Sequence, residues 1–137
     1  MADPVRVRAE ILKEMLLRAR SEPEIECCGL LAGRDGVITT IFPARNALAS
    51  ATAYEIAPQE LFQLFRTMPA EGLTHLGIYH SHPSSENVPS PRDIAQACYP
   101  DQAYFIISPQ ADARNPVRAF SIRGELVREL EIITTGS

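Results

Sequence analysis

The run Cys27–Gly33 (CCGLLAG) and the residues after it constrain the fold more than any other stretch of this chain. A short apolar run without charge reads as a buried strand. Arg34–Asp35–Gly36 supplies a tight turn and Val37–Phe42 returns as a second strand, so the two form a hairpin. A buried hairpin needs partners to cover it, and the helical patterns on either side supply them. Residues 9–20 (AEILKEMLLRAR) place Ile11, Leu12, Met15, Leu16 and Ala19 at helical spacing, and the helix ends near Ser21–Pro23 because proline cannot continue it. Pro58 opens a second helix through about Met68, with Leu61, Phe62, Leu64 and Phe65 on its apolar side.

The remaining segments add strands and loops. Residues 43–53 read as a loop, Tyr54–Ile56 as a short strand and Thr74–Tyr79 as a β-type run. Residues 83–91 (PSSENVPSP) form a loop, and Ser90–Ala97 starts a short helix. Tyr104–Ser108, Val117–Ile122 and Leu126–Ile133 are three further strands, the last two joined around Gly124. Hairpins interleaved with helices predict an α/β fold, a mixed sheet packed against helices, in a single domain spanning 1–137.

Composition excludes several functional classes. At 45% hydrophobic and 22% charged residues the chain has the make-up of a globular domain. No apolar run approaches the roughly 18–20 residues of a membrane helix, and the amino terminus lacks the clean apolar segment of a signal peptide. A net charge of −4 gives no footprint for nucleic acid. The three cysteines form no even set and no CxxC pair, which points to the cytoplasm and away from a thiolate zinc ribbon. Cys27 and Cys28 lie in the buried strand and read as core.

All three histidines fall within eight residues, at 75, 80 and 82. His80 and His82 close a strand, and side chains at i and i+2 of a strand share a side. Two adjacent imidazoles there can converge on one metal ion. Asp93 follows eleven residues later, and the loop between is long enough to fold it back. Two His and one carboxylate fill three positions of a tetrahedral zinc site, with the fourth left for water. Ser90–Pro91–Arg92–Asp93 also has a purely structural reading as a capping-box-like helix start, and the two readings are compatible. His75 differs from His80 by an odd number and is expected on the opposite side. Two other His–x–His arrangements fit poorly. Amidohydrolase barrels need about 250 residues, and a cupin site takes a later His, whereas none follows His82.

Read whole, His80–x–His82–x7–Ser90–x2–Asp93 (HSHPSSENVPSPRD) resembles the signature of the JAMM (MPN-plus) metallopeptidases. The likeness extends through PEIECCGLLAG (23–33) and NALASATAYEIAPQELFQLF (46–65). It implies a curved mixed sheet flanked by helices, a JAMM/MPN domain of the cytidine-deaminase-like class. It further implies that His80, His82 and Asp93 hold one zinc ion per chain. Counting back from Gly33, it assigns the general base to Glu26, with Glu24 and Glu22 weaker candidates, and it gives Ser90 the developing oxyanion. The implied reaction is hydrolysis of a peptide or isopeptide bond at the carboxyl terminus of a ubiquitin-like or sulfur-carrier protein by metal-activated water. The extended tail of such a partner is expected beside a sheet edge, in a groove flanked by 43–56 and 83–91. The alternatives are a non-catalytic MPN-type scaffold and a zinc hydrolase of another small amide. The compact chain looks most like prokaryotic members that trim sulfur carriers.

Overall fold

A computed structural model describes residues 3–136. In chain order the elements are β1 (Val5–Arg8), α1 (Ala9–Ser21), β2 (Cys28–Arg34), β3 (Val37–Ala44), α2 (Pro58–Ala70), β4 (Thr74–Ser81), α3 (Pro91–Gln96), β5 (Ala103–Ile107), β6 (Val117–Arg123), β7 (Leu126–Leu130) and β8 (Ile132–Thr135). The strands make one mixed sheet in the order β7-β6-β5-β4-β2-β3-β1-β8. β4 pairs antiparallel with β2 and parallel with β5, so it lies in the interior of the sheet.

The central hairpin forms as its turn chemistry dictates. Arg34 pairs with Val37, which leaves Asp35 and Gly36 as a two-residue loop with φ of 54° and 75°. Positive φ at both central positions is the hairpin geometry whose twist matches that of the strands. β2 is buried along all but its last residue. One face of the sheet packs with Ile11, Met15 and Ala19 of α1 around Leu31, Tyr79 and Phe105. On the other, Met68 and the partly buried Leu61, Leu64 and Phe65 of α2 pack around Leu30, Ile78, Tyr104 and Ile106. At roughly 25 cal/mol per Å² of apolar surface removed from water, these two layers supply the main driving force for folding.

Several expectations are corrected. Leu126–Ile133 is not one strand: β7 pairs with β6, whereas β8 pairs with β1 at the other end of the sheet. Only Glu131 separates them, and its carbonyl accepts the Val5 N–H at 2.9 Å. Consecutive Cα atoms stand only about 3.8 Å apart, so the two ends of the sheet must approach each other, and the sheet is strongly curved. Tyr54–Ile56 is not a strand either, since Ile56 makes only an isolated bridge to Asn46. Phe62 is 61% exposed rather than core, because the buried stripe of α2 runs through 61, 64, 65 and 68; Arg66 stacks over the Phe62 ring at 5.7 Å. β1 gave no periodic signal over its four residues and was not anticipated.

Gly29 marks the tightest internal approach. A Cβ there would run into the Phe42 carbonyl oxygen of β3 and the Tyr79 ring of β4. Backbone on one side and a fully buried ring on the other leave nothing free to yield. Gly29→Ala is expected to lower the unfolding free energy by about 2 kcal/mol or more, read from the urea midpoint at unchanged slope; a native midpoint would refute it.

Candidate metal centre and active site

The site forms at the carboxyl-terminal end of β4. Cys28 of β2 pairs with His80, and the ladder continues one residue further, with Ser81 N–H donating to the Cys27 carbonyl at 3.0 Å. Ser81 Oγ accepts the Cys27 N–H at 2.9 Å, and His82 N–H donates to the Ile107 carbonyl of β5 at 2.9 Å. Both neighbours of β4 therefore pin the His80–Ser81–His82 segment. The alternation holds here, and the two imidazoles lie on one side with ring centroids 5.0 Å apart.

Asp93 reaches them from the start of α3. Ser90 Oγ accepts the Asp93 N–H at 3.1 Å, and Asp93 Oδ2 accepts the Ser90 N–H at 2.9 Å, a reciprocal capping box. The same Oδ2 lies 3.2 Å from His80 Nε2 and 3.0 Å from His82 Nε2, while the two Nε2 atoms are 3.2 Å apart. Burial alone would push the Asp93 pKa up. Hydrogen bonds from both histidines and from the Ser90 N–H hold it well below the ordinary carboxylate range. Burial lowers the His80 pKa, whereas the Asp93 hydrogen bond and the Glu86 carbonyl outweigh burial at His82 and raise its pKa.

These three residues can hold a metal ion. Ligand bonds of about 2.0–2.1 Å at tetrahedral angles place donor atoms about 3.3–3.4 Å apart. The observed triangle, 3.0–3.2 Å on each side, is close to one face of that tetrahedron. His82 Nδ1 lies 2.8 Å from the Glu86 carbonyl, which can only accept, so Nδ1 carries a proton and Nε2 is the nitrogen left to face the centre, able to bind a metal once its own proton is lost. The donor set, two imidazoles and a carboxylate, suits zinc.

Glu26 lies just before β2. It is 4% exposed, its Oε1 has no hydrogen-bond partner among the described residues, and its charge interacts with those of His82, Asp93 and Arg92. Burial raises its pKa to about 7, with His82 pulling down and Asp93 pushing up. Arg92 is exposed. Glu24 is exposed too, and Glu26 is the acidic residue of that stretch that the fold buries beside the histidines. Cys27 and Cys28 are both buried; burial raises both thiol pKa values, that of Cys28 to about 12, which suits core residues and not nucleophiles.

His75 stays out of the site, but not for the reason expected. The β2–β4 register shifts between Leu31 and Ala32, opposite Gly77 and His75, and the alternation slips. His75 thus packs on Phe65 and Tyr99, on the α2 side of the sheet, with its Nε2 3.0 Å from the Gly77 carbonyl.

Three contributors were missed. Asn46 is buried; its Nδ2 donates to the carbonyls of Glu26 at 3.0 Å and Ala53 at 2.9 Å, and its Oδ1 accepts from Leu48 and Glu55 N–H. It ties the segment bearing Glu26 to the 45–57 loop. Tyr54 in that loop stacks on His80. Asn87 donates to the carbonyls of Ile106 and Asn115 and so anchors the 83–91 loop. Within a polar stretch such residues look like any loop residue, and only the tertiary fold reveals their partners.

Residues 8–123 match the family described as prokaryotic homologs of the JAB domain. The chain belongs to that family. It is similar to a desampylase of Haloferax volcanii, 35% identical over 128 residues, with 91% of this chain and 89% of the relative covered. It is also similar to the CysO-cysteine peptidase of Mycobacterium tuberculosis, 32% identical over 125 residues, with 90% and 86% covered. A solved structure of a protein from Desulfitobacterium hafniense matches with a TM-score of 0.82 at 32% identity, covering 96% of this chain and 93% of the other. The chain is thus a JAMM-type peptidase, and the expected α/β fold with a curved mixed sheet and flanking helices is borne out.

A buried carboxyl whose pKa is raised on folding stabilises the fold below its unfolded value and loses that contribution as pH rises through the folded value. With 4.5 raised to about 7, the metal-free chain loses stability between about pH 5 and 8. Glu26→Gln is expected to remove up to about 3 kcal/mol of that pH-dependent loss, measured as urea unfolding of metal-free native and variant chains across this range. Parallel pH curves for the two would show that Glu26 is not desolvated.

Proposed function

We propose that this chain is a zinc-dependent peptidase that cleaves a peptide or isopeptide bond at the carboxyl terminus of a ubiquitin-like or sulfur-carrier protein. One observation carries the reading: three candidate ligand atoms in a triangle of 3.0–3.2 Å, beside a buried carboxyl whose Oε1 has no hydrogen-bond partner among the described residues. The desampylase and CysO-cysteine peptidase among its relatives, matched over nearly their whole length, support the substrate class. The domain spans 1–137, and its three free cysteines suit the cytoplasm.

His80, His82 and Asp93 would hold one zinc ion per chain. What the ion supplies when bound is Lewis acidity, which lowers the pKa of a water from 15.7 towards about 7 and polarises the scissile carbonyl. Glu26 takes the proton of the attacking water on its carboxylate and passes it to the leaving amine. Its raised pKa suits both halves of that task near neutral pH. Ser90 Oγ accepts the Asp93 N–H, which leaves its own O–H free to donate to the developing oxyanion.

A tail paired along an outer strand of the sheet would lie away from the candidate triad. β4 is flanked by β2 and β5, and the outer strands β7 and β8 are three and four strands away. The tail instead crosses the loops at the end of β4. A cleft of about 270 Å³, lined by Leu30, Tyr54, Ile56, Ile78 and Tyr104, adjoins the metal site through Tyr54 and can accept an apolar side chain.

Elemental analysis is expected to find one zinc per native chain and essentially none in His80→Ala or Asp93→Ala. A native chain that stays metal-free after zinc addition would favour the scaffold alternative. Glu26→Gln should keep zinc yet lose about 10²–10⁴-fold in turnover, and Ser90→Ala about 10²–10³-fold. The assay uses ubiquitin-like and sulfur-carrier proteins with carboxy-terminal extensions, with mass spectrometry locating the cut. Cleavage of small amides but of none of these proteins would reassign the substrate.

A further inference from the structure

The two histidines of the site are held differently. His82 has a hydrogen bond at Nδ1, to the Glu86 carbonyl at 2.8 Å. His80 is 1% exposed, and its Nδ1 has no hydrogen-bond partner among the described residues. A histidine bound to metal is usually oriented by what its second nitrogen touches, and rotation about the bond to the ring is otherwise soft. Something else must aim His80 Nε2 at the centre.

Tyr54 is in place to do it. Its ring stacks on the His80 ring with centroids 4.5 Å apart and planes inclined by 25°. The backbone on both sides of Tyr54 is fixed by one buried side chain, Asn46, which donates to the Ala53 carbonyl at 2.9 Å and accepts the Glu55 N–H at 3.2 Å. Asn46 also binds the Glu26 carbonyl at 3.0 Å, so the tyrosine wall and the buried carboxylate share an anchor.

We infer that Tyr54 is the positioning residue of His80, its ring face setting the imidazole plane in place of the hydrogen bond that fixes His82. The inference rests on the metal-site reading above and adds a residue that the signature does not contain. The stack favours the loaded state. An imidazole that gives electron density to a cation becomes electron-poor, and the electron-rich face of a phenol attracts it more strongly. Tyr54 therefore raises metal affinity through the difference between loaded and empty chains. The effect needs the ring and not the hydroxyl.

The test compares the native chain with Tyr54→Phe and Tyr54→Leu in two measurements. In zinc titration against a competing chelator, Tyr54→Phe is expected within about threefold of native affinity and Tyr54→Leu weaker by about 10- to 100-fold. Native affinity in Tyr54→Leu, or equal loss in both variants, would overturn the inference. The second measurement needs no metal: the ring ¹⁵N spectrum of the three histidines in the metal-free chain. The His80 signals should match native in Tyr54→Phe and shift or broaden in Tyr54→Leu. The His75 signals, whose ring packs on Phe65 and Tyr99, should stay unchanged and report an intact fold. Unaltered His80 signals in Tyr54→Leu would sink the inference. A native chain that binds no zinc would instead sink the metal-site reading, with the spectrum still judging the role of Tyr54. Should Tyr54→Leu fail to fold, Tyr54→Met is read by the same criteria.

Discussion

One oxygen atom organises the working end of this molecule. Asp93 Oδ2 accepts the Ser90 N–H and stands within 3.2 Å of both imidazole nitrogens. The six-residue α3 is far too short to be stable by itself, and its capping box is what makes it a helix in this fold. The bond that starts the helix is therefore the bond that places the one oxygen of the candidate metal triad. Pro91 at the first helical position fixes the entry geometry of the chain and leaves no backbone donor unsatisfied. Structural economy and chemistry share the same few atoms, which is why the capping and catalytic readings of this segment never had to compete.

The opposite wall is built by burial. The segment that leads into β2, the strand beside the histidines, carries Glu26 to the site at the cost of desolvating a carboxylate. A protein evolved for stability alone would place a neutral side chain there. Positive charge nearby offsets part of the cost: Arg92 pulls the Glu26 pKa down, as does His82 when protonated. A divalent ion at the triad would add to that pull and favour the ionised form of Glu26.

How much of this was legible in the sequence follows from the range of the forces involved. The Asp35–Gly36 turn, the proline start of α2 and the Ser–Pro–x–Asp helix start are local and were read correctly. The parity of His80 and His82 is local too, and it held because Ser81 is locked from both sides. Parity failed for His75, where a register shift opposite Leu31 and Ala32 intervenes, and no turn residue announces that shift. The β7–β8 break was equally silent. LVRELEIITT is uninterrupted β-type sequence, and the change of partner at Glu131 belongs to sheet curvature. Phe62 was misplaced because helical spacing alone does not say how wide a stripe the sheet will cover. Asn46 and Tyr54 act across 20 and 26 residues of chain respectively, to Glu26 and His80, and such contacts leave no local trace.

The curvature itself bears on how a substrate can be held. With β7 and β8 joined through a single residue, the outer strands of the sheet are drawn together far from β4. A strand added there would lie away from the candidate triad. What remains at the end of β4 is a rim of loops anchored by buried amides, Asn46 on one side and Asn87 on the other. Both side chains satisfy backbone carbonyls that would otherwise be stranded, so the rim is rigid although it has almost no regular structure. A rigid rim over a buried triad favours a ligand that brings its own flexibility. The extended carboxy-terminal tail of a small folded protein fits that requirement, because such a tail could thread to the candidate triad while its folded body stays outside.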